Sequence, residues 1–328
     1  MAEPRENERG AALLTVLLLV AVMAVIAASA LERLALATRM AGNGGAVDQA
    51  RAYADAGAEM ARLKIGDLIA RTPGRTTLRG GWLGTPQALP VPGGTATARV
   101  TDAGNCFNLN SLVAGTNEAS LKVRPVGVTQ FQALMQALGI DARQAQMVAA
   151  SAADWIDSDA VPQPGGAEDD AYARAPTPYR AANRFMIDAS ELRAVAGVTP
   201  AIYDVLRPWL CALPSADLSP INVNTLLPEQ APLFAMLLPG MVSAGQARQY
   251  LAQRPAGGYG STVEFWDGLA RQGISPLGEV GAQVKMTTRW FHADIDVDVG
   301  GIEVNERALI DAQQSPAQIV RRGGSDGA

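Results

Sequence analysis

Between residues 144 and 173 the chain has no Lys or Arg, yet it carries Asp154, Asp157, Asp159, Glu168, Asp169 and Asp170. Asp154 and Asp157 are three apart, so they share one face if a helix persists that far. Pro162, Pro164, Gly165 and Gly166 turn the chain back and can bring the Glu168 group to Asp159. Carboxylates at such close quarters repel unless a cation neutralises them. An oxygen-only donor set without His or Cys suits calcium better than a transition metal. The spacing is not that of an EF-hand. A calcium site and a solvated acidic loop are the two readings. The turn residues and the neighbouring Tyr179-Arg180-Ala181-Ala182-Asn183-Arg184 favour calcium.

Other chemistry is sparse. His292 is the only histidine, and no Ser or Cys nucleophile motif stands beside it. A membrane-anchored hydrolase using the acidic loop therefore lacks both a nucleophile–base pair and an oxyanion motif. Cys106 and Cys211 are the two cysteines. An even count behind a membrane anchor fits one disulfide in an oxidising compartment, and two unrelated buried thiols are the alternative. The formal net charge is -5, which argues against nucleic acid or anionic lipid as the main partner.

These groups must be held by a chain that begins with an anchor. Ala11 to Ala30 is an uncharged run, entered through Arg9-Gly10, and a span needs roughly 20 residues. Beyond it, Leu31, Leu34, Ala35, Ala41, Val47, Ala50, Ala54, Ala58, Ala61 and Ile65 recur near helical spacing. One helix, or a helix interrupted at Gly42-Asn43-Gly44-Gly45, should reach about Arg71, where Thr72-Pro73-Gly74 stops it.

A short polar leader ending in Gly, followed by an apolar helix that continues into an amphipathic one, resembles the type IV prepilin class. The resemblance implies cleavage by a prepilin peptidase between Gly10 and Ala11. It also implies that the apolar helix becomes part of a filament spine. The mature chain would start with Ala11 where major subunits usually have Phe, and would carry Thr15 where they have Glu. A subunit without that Glu has no acid to offer an amine in the apolar spine, where unpaired charge is costly.

Residues 72–106 hold a Gly- and Pro-rich connection and then a strand at Thr95–Thr101. At the far end, residues 281–312 read as strands. Phe291, Ala293, Ile295, Val297 and Val299 fall on one face, and His292, Asp294, Asp296 and Asp298 on the other. Gly300-Gly301 marks a hairpin. The Asp row reads as a solvated face that discourages edge pairing. Residues 107–280 read as mostly helical, with helices at 128–138, 141–156, 189–195, 200–210, 228–238, 244–253 and 262–272. The Gly-rich tail, 313–328, reads as disordered.

The helical block has an internal echo. Phe107-Asn108-Leu109-Asn110-Ser111-Leu112 and Ile221-Asn222-Val223-Asn224-Thr225-Leu226 share one pattern. Each alternates like a short strand, then offers an N-cap. Two modules follow, 107–213 and 221–280. The second resembles helix-hairpin-helix modules of the competence DNA-uptake type through Asn224-Thr225, Leu237-Leu238-Pro239-Gly240, Ala244, Ala247, Arg254, Gly258 and Phe265. A membrane-tethered DNA-binding protein is therefore the alternative function. Against it, the hairpin Gly240-Met241-Val242-Ser243 lacks a second Gly, and residues 221–275 balance three Arg with three acids.

Asp154-Trp155-Ile156-Asp157-Ser158-Asp159, Gly166-Ala167-Glu168-Asp169-Asp170, Pro178-Tyr179-Arg180-Ala181-Ala182-Asn183 and Ser190-Glu191-Leu192 resemble the minor pseudopilin K family of type II secretion. With the leader and the Asn-rich echoes, the resemblance covers nearly the whole chain. It implies an α+β, type IV pilin-like fold: a long N-terminal helix on an antiparallel sheet, with a large inserted helical domain that binds calcium. It implies a non-enzymatic subunit, anchored once in the inner membrane with its soluble part in the periplasm, at the tip of a short pseudopilus. The implied partners are minor pseudopilins I and J, other pseudopilins, the inner-membrane assembly platform and the prepilin peptidase, with no nucleic acid.

Overall fold

The computed structural model describes residues 6–276 and 278–324, with side chains from residue 10 onward. Helix α1 runs unbroken from Glu6 to Arg71. The expected leader residues 1–5 lie outside the described residues, while Gly10, Ala11 and Thr15 sit within α1. The Gly42–Gly45 stretch does not interrupt it, because adding residues to an existing helix is far easier than starting one. Among the described residues this is the one helix long and apolar enough to cross a membrane. Its apolar side chains from Leu13 to Met40 are exposed.

Past residue 46 the helix changes character. Ala50, Ala54, Ala58, Ala61 and Ile65, spaced by three or four, are buried against a five-stranded antiparallel sheet. Its strands are β1 (Gln87–Leu89), β2 (Gly94–Asp102), β3 (Trp290–Val299), β4 (Ile302–Asp311) and β5 (Gln318–Gly324), in that spatial order. The small alanines let α1 approach closely. At Gly57 even a methyl group would meet Ile295 Cγ2 at 2.8 Å and Leu89 Cδ1 at 2.9 Å. Phe291, Ala293, Ile295, Val297 and Val299 face this helix, as their alternation requires. The polar row lies on the opposite face, where Asp294 pairs with Arg307 of β4.

The 313–328 tail departs from its expected disorder. Residues 318–324 form edge strand β5, with Ile319 opposite Ile310, and residues 325–328 lie outside the described ones. Two arginines tie the strand down. Arg322 pairs with Asp55 and Glu59 of α1, and Arg321 donates to the carbonyls of Ile187 and Ala212. The Gly content hid a short alternating pattern whose long side chains reach partners on both faces.

Strands β2 and β3 pair in full register, Gly94 with Val299 through Asp102 with Phe291, although the chain between them forms the helical block. That block contains α2 (Pro125–Ala137), α3 (Ala142–Ile156), α4 (Asp169–Tyr172), α5 (Pro200–Leu206), α6 (Ala231–Ala235), α7 (Ala244–Ala252) and α8 (Thr262–Ala270). The segment at 189–194 is a 3-10 helix. One large core runs through the block, with Phe107 stacked on Phe131 at 4.6 Å. Cys106 and Cys211 form a disulfide with Cα atoms 5.8 Å apart, beside the parallel pairing of Phe107–Asn108 with Leu210–Cys211. Closing a loop of this length corresponds to about 4–5 kcal/mol in the chain-entropy account.

The Asn echo is structural. Asn108 caps a 3-10 turn, accepting from Asn110 N and Leu213 N while donating to the carbonyls of Ser215 and Asp217. Asn222 repeats this, accepting from Asn224 N and donating to Thr76 O and Thr288 Oγ1. All four echo asparagines are buried, and each bonds chain segments that are distant in sequence.

Candidate metal centre

Helix α3 delivers the acidic group. Asp141 caps its start by accepting from Arg143 N and Gln144 N. Its last turns bury Ala152, Ala153, Trp155 and Ile156. The apolar face carries Asp154 and Asp157 inward with it, to 0% and 1% exposure. The chain then leaves the helix, loops through the Pro and Gly residues, and returns at Glu168, itself 7% exposed.

Asp157, Asp159 and Glu168 converge, each offering a carboxylate oxygen within 4.8 Å of the others. Both oxygens of Asp157 and Oε1 of Glu168 are buried without a hydrogen-bond partner. An ionised group left in that state is costly. Burial first, then the charges of Asp159 and Asp154, push Asp157 up to about 7. Burial and then Asp157 push Glu168 up to about 7. Asp154 is raised to about 6, chiefly by burial. Three orphaned oxygens pointing into one carboxylate cluster fit a hard cation with oxygen ligands.

The six acidic residues do not act as one set. Asp154 stands behind the trio and accepts from Gln163 N at 3.1 Å through both oxygens, which holds the loop in place. Asp169 turns to accept from Ala181 N at 3.0 Å and lies 3.8 Å from Arg180 Nε. Asp170 is exposed. Gly166 is more than a turn residue, since a Cβ there would collide with the Asp154 carboxylate. The sequence motifs contain Trp155 and Tyr179, but nothing in them shows that these two pack together with Tyr172. Trp155, Tyr172 and Tyr179 pack with centroids 5.1–6.1 Å apart, and the two tyrosine hydroxyls bond Ala196 N and Ala194 O. These three lie at scattered sequence positions, so no periodicity flags them.

Family models described as "Type II secretion system (T2SS), protein K" match residues 105–215 and 221–285. The type II secretion system protein K of Pectobacterium carotovorum subsp. carotovorum is 36% identical over 323 residues, covering 97% of each chain. The chain belongs to the type II secretion system protein K family. The Aeromonas hydrophila member is 33% identical over 98% of each chain. The protein K family is also represented by a solved GspK-GspI-GspJ complex from the enterotoxigenic Escherichia coli type 2 secretion system. One chain of that complex matches with a TM-score of 0.73 and 28% identity, over 85% of this chain and 97% of that one. The hairpin that resembles DNA-uptake modules lies within the second matched segment, so it is part of the protein K architecture. This family's work is in secretion.

Proposed function

We propose that this protein is a minor pseudopilin at the tip of the type II secretion pseudopilus, in complex with minor pseudopilins I and J, and that it catalyses no reaction. The observation that carries the proposal is the likeness, across 85% of the chain, to a subunit solved in a GspK-GspI-GspJ complex. The prepilin peptidase cuts after Gly10, and α1 then spans the inner membrane once with the soluble part in the periplasm. The Thr15 hydroxyl donates to Ala12 O at 2.9 Å within its own helix. It brings no carboxylate charge to a neighbouring amine, as suits a terminal position. Calcium held by Asp157, Asp159 and Glu168 neutralises the acidic cluster and fixes the loop over α3; Asp154 positions the loop from behind.

Co-expression tests this reading. The full chain should co-purify with I and J from detergent extracts, and Gly10→Ala should leave an uncut precursor. Normal processing of Gly10→Ala together with no co-purification would sink it.

A further inference from the structure

The end of α1 and the loop after it enclose a cleft of about 580 Å³ that neither the anchor nor the acidic cluster uses. Lys64, Arg71, Arg75 and Arg79 line it, with Trp82 as an aromatic wall and Asp67 as the acid among them. The chain as a whole carries a net charge of -5, so this surplus of cations is local. Among the described residues none of the four cations makes an ion pair or a side-chain hydrogen bond. Arg71 lies in the last helical turn, where the helix dipole favours it. Arg75 and Arg79 lie beyond that turn, and Lys64 lies about two turns before it, so the dipole accounts for one cation of the four.

The loop bearing these cations is held rigid despite its Gly and Pro content. Buried Thr76 donates its N–H to Met286 O at 2.8 Å, its carbonyl accepts from Asn222 Nδ2, and its hydroxyl oxygen accepts from Thr288 N. Trp82 donates to Thr77 O at 2.8 Å and packs its ring on Phe291. With the backbone at Thr76 and Trp82 already held, an anionic partner orders the cationic side chains but not the loop that carries them, and it relieves their mutual repulsion.

We propose that this cleft is a docking site for an acidic segment of a partner protein in the secretion assembly, its Asp and Glu side chains meeting Arg75, Arg79 and their neighbours. The proposal rests on the assembly reading only for the presence of such a partner. Lipid headgroups do not fit: from Ala30 to Lys64 the helix rises about 50 Å at 1.5 Å per residue, several times the roughly 8–10 Å Debye length. Nucleic acid does not fit either, because in a chain of net charge -5 the four cations of this cleft fall short of the extended cationic track a phosphate backbone needs.

The test uses the full chain in neutral detergent, with a fluorescent hexaglutamate peptide as probe and hexaserine as control. Hexaglutamate should bind saturably and more weakly as salt rises. The Arg75→Gln/Arg79→Gln double variant should bind at least tenfold more weakly with an unchanged thermal midpoint. Arg143→Gln/Arg248→Gln, at exposed positions on α3 and α7, should bind like the parent. Asp67→Asn should tighten binding, which keeps the proposal testable if the double variant folds poorly. Absence of saturable binding, equal binding by the Arg75/Arg79 variant, or displacement of the peptide by equimolar inorganic phosphate overturns the proposal. A chain that still co-purifies with I and J yet ignores hexaglutamate loses this site and keeps the assembly reading.

Discussion

Asp102, at the end of β2, accepts a 2.5 Å hydrogen bond from the hydroxyl of Thr225, the threonine of the second Asn-rich echo, 123 residues further along the chain. The same carboxylate accepts from the Thr288 hydroxyl and from the N–H groups of Gly104 and Asn105. Burial pushes its pKa up, and these donors pull it back. One side chain thus joins the sheet, the entry to the helical block and the segment that returns to β3. Asp102→Ala strands several buried donors, each costing about 1–3 kcal/mol. Thermal or urea unfolding of the detergent-solubilised chain should show a loss of about 3–5 kcal/mol. Thr225→Val should cost less, about 1–2 kcal/mol, and a loss for Asp102→Ala within 0.5 kcal/mol would refute the hub.

The proposed calcium site makes a residue-specific prediction. Calcium that binds only the folded chain stabilises it by about 2.7 kcal/mol at a hundredfold excess over Kd. The parent should therefore melt higher in calcium than in chelator. Asp157→Asn and Glu168→Gln should abolish the difference, because their oxygens converge. Asp170→Asn should keep it, since Asp170 is exposed and outside the converging trio. If all three variants respond alike, these ligands are misassigned.

His292 predicts a pH dependence. Burial first, then the nearby Arg307 guanidinium, lowers its pKa to about 4, while Asp294 and Asp188 oppose the shift and Arg321 adds to it. The unfolded chain takes up this proton near pH 6.5, but the folded chain resists until about pH 4. The unfolded state then binds more protons across that window, so stability falls as pH falls from about 6.5 to 4. At about 1.4 kcal/mol per unit, the loss is on the order of 3 kcal/mol. His292→Gln should lack this component, and the difference between the two chains' stabilities against pH isolates it from the carboxylates.

Periodic features were readable from the sequence. The β3 alternation emerges where repeating burial dictates a repeating pattern, and the β3–β4 hairpin at Gly300-Gly301 and the end of α1 at Arg71 emerge from local turn and stop residues. Features set by convergence were not. Nothing local separates Asp157, whose oxygens are stranded, from Asp169, which bonds Ala181 N; the return path of the loop decides that. Nor does alternation reveal that Asp102 meets Thr225, or that Arg322 reaches back to α1 and turns a Gly-rich tail into an edge strand. The Asn echoes were visible as a repeat, but their role as buried connectors depends on distant partners, more than 100 residues away for Asn108 and Asn110.

Two glycines of α1 should respond in opposite directions to the same change. Gly57 lies against the sheet, where a Cβ would fall 2.8 Å from Ile295 Cγ2 and 2.9 Å from Leu89 Cδ1. Ile295 is fully buried, so it has little freedom to withdraw, and overpacking of this kind costs about 1–3 kcal/mol. Gly66 is in the same helix, but nothing lies within 4 Å of where its Cβ would stand. There alanine gains helix propensity, about 0.5–1 kcal/mol. Gly57→Ala should therefore lower the unfolding midpoint and Gly66→Ala should raise it. The contrast removes general helix propensity as an explanation, because that term favours alanine at both sites. If both variants are stabilised, α1 does not pack on β3 as closely as described. If both are destabilised, the free face at Gly66 is covered in the detergent-solubilised protein.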